Sequence, residues 1–143
     1  MEGSPNFILE KQLTVVLENH PGTLADVCAC LAEKDINILA FSIADMIDTG
    51  ELRVVVNNAR KAKAYLEEQG YDVLESDVLV VEMANEPGVM AQIARRLAKG
   101  NVNIEYAYCS ASRNGNRVLG VLKLSDAPRA MDLLADYGKW EEL

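Results

Sequence analysis

The chain has 143 residues, half of them hydrophobic, the size of one ordinary domain or two very small ones, and enough apolar material for a core, which excludes general disorder. Its 14 Lys and Arg stand against 22 Asp and Glu, a net charge of −8, so no basic surface dominates and neither nucleic acid nor an anionic membrane is expected as a partner. No apolar run approaches the roughly 18 residues that cross a bilayer, residues 1–12 have no signal-peptide character, and Cys28, Cys30 and Cys109 read as reduced thiols, so the expected address is cytoplasmic.

In chain order, Leu13, Val15 and Leu17 alternate with Thr14, Val16 and Glu18, which predicts a strand with one covered face. Pro21 is expected to open a helix at the position where a missing amide proton costs nothing, and Leu24, Val27, Cys28 and Leu31 give it one apolar stripe. Residues 36–44 are β-rich, Asp48-Thr49-Gly50 marks a turn, and Leu52, Val54 and Val56 return as a third strand in hairpin arrangement. Asn58 is placed to cap a second helix that buries Ala62, Tyr65 and Leu66 and ends at Gly70. A fourth strand follows at 71–75.

The pattern then starts again. Shifted by 66 positions, the segment 13–38 finds ten identities in 26 places, among them Asn19 with Asn85, Pro21 with Pro87, Gly22 with Gly88 and Asn37 with Asn103. Average composition gives roughly one or two. The second copy repeats the apolar stripe at Met90, Ile93, Ala94 and Leu97, gains two residues near an Asn114-Gly115-Asn116 turn, and continues through Asp126, Ala130, Leu133, Leu134 and Gly138. Only residues 139–143 remain for its last strand, which is expected to be short or supplied from elsewhere. The expected domains are 1–76 and 77–143. Residues 1–76 hold 6 basic and 13 acidic side chains, residues 77–143 hold 8 and 9, so the first copy carries nearly all the net acidity.

The order βαββαβ in each copy predicts an α+β fold of two ferredoxin-like sandwiches, with both helices on one face of an antiparallel sheet. Such units read RNA, carry metals, hydrolyse acylphosphates or sense small molecules, so residues must decide. The first and third strands lack the aromatic residues an RNA reader stacks on bases. Cys28 and Cys30 are two apart within a helix and point away from each other, so no metal site is expected. Residues 18–23 contain no cationic phosphate cradle, and the lone His20 is replaced by Glu86 in the second copy, so no catalytic group is assigned and an enzyme is not expected.

What both copies share is the loop from the first strand into the first helix, Asn19-His20-Pro21-Gly22 and Asn85-Glu86-Pro87-Gly88. Asn, Pro and Gly suit a helix start on structural grounds alone. The same arrangement also offers the amide protons of Gly22, Thr23 and Leu24, and of Gly88, Val89 and Met90, to a carboxylate. A second amide, Asn37 or Asn103, begins the second strand, expected beside the first.

Asn-x-Pro-Gly, a helix ending near Leu31, and Ile-Asn-Ile at 36–38, repeated as Asn85, Pro87, Gly88, Leu97 and Val-Asn-Ile at 102–104, resemble the ACT domain. The whole chain resembles the stand-alone tandem ACT proteins of bacteria, in which Ser42-Ile43-Ala44-Asp45, Gly50-Glu51-Leu52-Arg53 and Glu105-Tyr106-Ala107-Tyr108 also fit. The resemblance covers about residues 10–138. It implies a small regulatory or sensor module that holds a free amino acid at an interface between ACT domains, without catalysis or cofactor. Carried over by position, it nominates Asn19, His20, Pro21, Gly22, Thr23, Leu24 and Asn37 in the first copy, and Asn85, Pro87, Gly88, Val89, Met90 and Asn103 in the second. Serine-binding relatives have a histidine two residues before the loop Asn. Leu17 and Met83 stand there, which points to an apolar amino acid instead. The resemblance further implies a homodimer and a metabolic enzyme or regulator as partner. The alternative is an interaction subunit that keeps the scaffold and has lost the ligand.

Overall fold

The computed structural model describes residues 5–111 and 115–137. Asn114, the helix end expected at Gly138 and the strand expected at 139–143 lie outside the described residues. The elements run β1 (Asn6–Glu18), α1 (Thr23–Glu33), β2 (Ile38–Asp45), β3 (Thr49–Val56), α2 (Ala59–Glu68), β4 (Asp72–Ala84), α3 (Val89–Lys99), β5 (Ile104–Ala111), β6 (Arg117–Leu124) and α4 (Ala127–Leu134). They group into two compact units, Lys11–Ser76 and, among the described residues, 77–137 together with 5–10.

In the unit Lys11–Ser76 the strand order is β2-β3-β1-β4. β3 pairs antiparallel with β1, Leu13 opposite Val54 and Val15 opposite Leu52, and antiparallel with β2, Phe41 opposite Val54 and Ile43 opposite Leu52. β1 and β2 are therefore not neighbours, contrary to the expectation from sequence. The reason is width: α1, which connects them, is about 10 Å across, roughly two strand spacings of about 4.8 Å, so the crossover skips one place and β3 fills it. Leu13, Val15, Leu17, Leu52, Val54 and Val56 face Val27 and Leu31 of α1 and Ala62 and Leu66 of α2 in one buried cluster, so both helices cover the same sheet face. Cys30 packs against this cluster in place of the Cys28 expected from the stripe, and burial pushes its thiol up from the ordinary value.

The helix ends follow local chemistry. The Asn58 side chain accepts from Lys61 N at 3.1 Å, as a cap should. Gly70, at φ 93°, turns the chain out of α2 while Tyr71 N donates to Leu66 O at 3.0 Å. α1 ends through Asp35 at φ 58°, and its counterpart Asn101 ends α3 at φ 60°, the two side-chain types that best tolerate that conformation.

The second unit repeats the plan in the order β1-β4-β6-β5, with residues 6–10 of β1 in the outer place. The last strand is thus supplied from the amino terminus. Phe7 packs against the cluster of Leu79, Val81, Ile93, Leu97, Leu122 and Leu134, and its ring lies 6.4 Å from that of Tyr137. β4 is longer than the 71–75 expected, because the fourth strand of the first copy runs on without a break into the first strand of the second. Asp126 caps α4 by accepting from Arg129 N at 3.0 Å. A bulge between Ile38 and Ala40 recurs between Ile104 and Tyr106, 66 positions on.

Candidate functional site

In the first unit the loop after β1 is built around Gly22. It occupies φ 95°, ψ −14° as the N-cap of α1, and no side chain caps the helix. Pro21 therefore stands before the cap and the first helical residue is Thr23, a correction to the expected start at Pro21: the left-handed glycine, open to φ values L side chains avoid, makes the final turn into the helix. Gly88 does the same for α3 at φ 90°, ahead of Val89. The backbone N–H groups of Gly22, Thr23 and Leu24 donate to no carbonyl among the described residues, so they are open donors at the positive end of the helix dipole. Thr23 Oγ1 donates back to His20 O at 3.2 Å and closes the loop on itself.

Asn19 does not cap the helix. Its Nδ2 donates to Asp45 Oδ1 at 2.7 Å and to Met46 O at 3.5 Å, and its backbone N–H donates to Asp48 O at 3.4 Å. The loop is thereby tied to the end of β2 and the turn that follows it. His20 lies between two acceptors, with Nδ1 3.1 Å from Pro21 O and Nε2 3.0 Å from Glu18 Oε2. Only the imidazolium can donate to both, and the Pro21 carbonyl first, then the Glu18 carboxylate, raise its pKa above 6.5.

Beside this loop is a cavity of about 360 Å³ whose polar lining includes Glu18, His20, Thr23, Asp26, Tyr71 and Asp72. Its lining holds three carboxylates and no lysine or arginine; Glu18 is paired with His20, which leaves Asp26 and Asp72 to favour a further cationic group. Burial, and then the nearby Cys30 and Asp26, push the Tyr71 hydroxyl pKa up from its ordinary value.

Asn37 lies elsewhere. Its N–H donates to Asn57 Oδ1 at 3.1 Å and its carbonyl accepts from Asn57 N at 3.2 Å, at the end of β3, whereas Asn19 follows Glu18, which pairs with Thr49 at the start of β3. The eight residues of β3 separate the two by about 23 Å. One small ligand in this unit cannot touch both. The second unit has the same layout, Asn103 N donating to Ser125 Oγ at 2.9 Å and Asn85 N to Asn116 O at 2.9 Å. There Val89 N is turned to Glu86 O at 3.5 Å, Met90 is 36% exposed, and the cavity of about 310 Å³ is lined by Glu82, Ser110, Arg117, Val118 and Leu119, none of them a nominated residue.

Glu18, Asp26, Asp45, Tyr71 and Asp72 join the site only in the folded structure. Asp45 was within reach, since an antiparallel hairpin places the residue ending β2 at the same end of the sheet as the residue ending β1.

A family model described as an ACT domain pair matches residues 8–137. The chain belongs to this family. As an ACT domain pair it is similar, at 32% identity and a TM-score of 0.85, to the crystal structure of protein BT0572 from Bacteroides thetaiotaomicron, over 92% of this chain and 90% of that one. The ACT pair also shares its fold with the regulatory subunit of aspartate kinase from Thermus thermophilus, solved in a ligand-free form, at 20% identity and a TM-score of 0.70 over 92% and 94% of the two chains. The corresponding subunit from Thermus flavus gives 20% identity and 0.64 over 92% of each chain. No curated protein sequence matches the chain. No helix among the described residues is long and apolar enough to cross a membrane, and no described group of His, Cys, Asp and Glu is arranged to hold a metal ion.

Proposed function

We propose that this ACT domain pair is a cytoplasmic, non-catalytic regulatory protein that reversibly binds a free amino acid at the loop after β1 in the unit Lys11–Ser76. The observation that carries the reading is the nearness of opposite polarities, since Thr23 belongs both to the helix mouth and to the cavity lining. Three open N–H donors, Gly22 to Leu24, suit a carboxylate at the helix mouth, and the adjoining cavity with Glu18, Asp26 and Asp72 suits an ammonium. A zwitterion has both. The Asn19 oxygen, outside the cavity lining, is a further neutral acceptor at the loop, while Asn37 is outside this contact set. In the second unit Gly88, Val89, Met90 and Asn85 form a weaker version, since the Val89 amide is already turned to Glu86 and the copy carries little net charge. Occupancy would shift a conformational population that an enzyme or regulator reads.

Self-association belongs to the same reading. β2 is an outer strand of its sheet, and Leu39, Phe41 and Ile43 on it are 50%, 51% and 47% exposed, an apolar edge suited to a second copy. A thermal-shift screen of the twenty free amino acids, with calorimetry on any stabiliser, tests the proposal. A specific stabiliser whose effect falls in Asn19→Ala is expected. A folded protein that no amino acid stabilises would refute it in favour of a ligand-free interaction subunit, for which the exposed β2 edge is the specific support.

A further inference from the structure

We propose that Asp45 is the positioning residue of the ligand contact, fixing the Asn19 amide so that its oxygen is the edge presented to the ligand's ammonium; this rests on the amino-acid-binding reading above. Donors and acceptors set the orientation. An asparagine amide has a donating end and an accepting end of nearly the same shape, and the surrounding groups decide which way it lies. Here the two groups facing one end are the Asp45 carboxylate, 2.7 Å from Nδ2, and the Met46 carbonyl, 3.5 Å from it. Neither can donate. Rotating the amide would set Oδ1 against a carboxylate and a carbonyl at once, so the NH2 end is held toward β2. Oδ1 is left without a partner among the described residues.

The second copy supplies the comparison. Its loop has the same Asn-x-Pro-Gly residues, yet the position 66 beyond Asp45 is Ala111, which has no carboxylate, and Asn85 donates a side-chain hydrogen bond to no described residue. The two loops thus share their Asn-x-Pro-Gly residues and differ in the carboxylate that faces the amide in the first. An asparagine amide with no carboxylate facing it lacks that charged partner to hold one orientation, and the other orientation turns a donor toward an ammonium. The orienting carboxylate therefore makes the first loop the competent one, and one ligand per chain is expected.

The test follows the amide itself and then the ligand. In heteronuclear NMR of the full chain, the Asn19 side-chain NH2 signals, assigned by their loss in Asn19→Ala, are expected to include one strongly downfield proton. That proton should move to the ordinary position in Asp45→Ala and stay downfield in Asp45→Glu. Calorimetry with whichever of the twenty free amino acids stabilises the wild type should then give one site per chain, about 10-fold weaker binding in Asp45→Ala, a loss of the size a charge-assisted hydrogen bond commands, and recovery in Asp45→Glu. An Asn19 signal indifferent to Asp45 overturns the proposal. So does a wild type that binds while Asp45→Ala binds as tightly, an outcome that leaves the amino-acid reading standing. If no amino acid binds the wild type, that reading fails and the ligand role of Asp45 falls with it.

Discussion

Replacing Gly22 by alanine is expected to cost about 1 kcal/mol, and the structure separates the reason from the usual ones. A Cβ built at Gly22 meets nothing within 4 Å, so no clash contributes. The residue ends a loop and caps α1 with its backbone alone, so no side-chain bond is lost. What remains is the conformation: at φ 95° an L side chain pays about 1–2 kcal/mol, offset by about 0.4–1 kcal/mol from the smaller conformational freedom of an unfolded alanine. Asparagine tolerates this region better than alanine, and valine worse, so stability should fall in the order Gly, Asn, Ala, Val. For a chain of 143 residues a change of 1 kcal/mol lowers Tm by about 3 °C. Urea unfolding followed by circular dichroism, with melting curves alongside, measures the series. The same set at Gly88, at φ 90° and with equally open space, serves as an internal replicate. An alanine as stable as glycine at both sites, or a valine no worse than alanine, would refute the conformational account.

Gly100 presents the opposite case. Its φ is an ordinary −84°, but an added Cβ would collide with the Leu133 side chain, meeting Cδ2 at 2.7 Å; the cost of about 1–3 kcal/mol for overpacking is offset by about 0.4–1 kcal/mol from the less free unfolded alanine, so Gly100→Ala should destabilise by about 1 kcal/mol. Leu133→Ala in the same chain should remove most of that increment, as a double-mutant cycle in urea would reveal; a purely additive pair would show that the crowding is not the cause. His20, the single histidine of the chain, should titrate above 6.5 by NMR and move down, though not fully, in Glu18→Gln, since the Pro21 carbonyl is the larger cause and stays in place. A raised folded-state pKa stabilises in full below the ordinary value and loses that contribution as pH rises through the folded one. A midpoint at 6.5 that ignores Glu18→Gln would contradict the two-acceptor geometry.

Much of each unit was legible because its determinants are local. The period-two runs at Leu13 to Leu17 and Leu52 to Val56 and the 3.6-period stripes at Val27 with Leu31 and Ile93 with Leu97 report which face of each element is buried, and those residues are buried. The caps at Asn58 and Asp126 were visible in the same way, each a short polar side chain bonding to an amide three residues on. Pro21 stands outside the helix because the decisive variable is the handedness of Gly22, which composition does not display.

The sequence by itself determined the repeat, the βαββαβ order and the family, because a duplication leaves identities at constant spacing and an amphipathic pattern survives in one dimension. Only the tertiary structure decided that β3 lies between β1 and β2, that residues 6–10 supply the outer strand of the second unit, and that Asn19 and Asn37 stand at opposite ends of a sheet. It also brought Asp45 to Asn19, across 26 residues of chain. These are matters of which strand pairs with which and in what register, and that depends on how wide a helix is and how far a strand reaches, lengths in space that no spacing along the chain records.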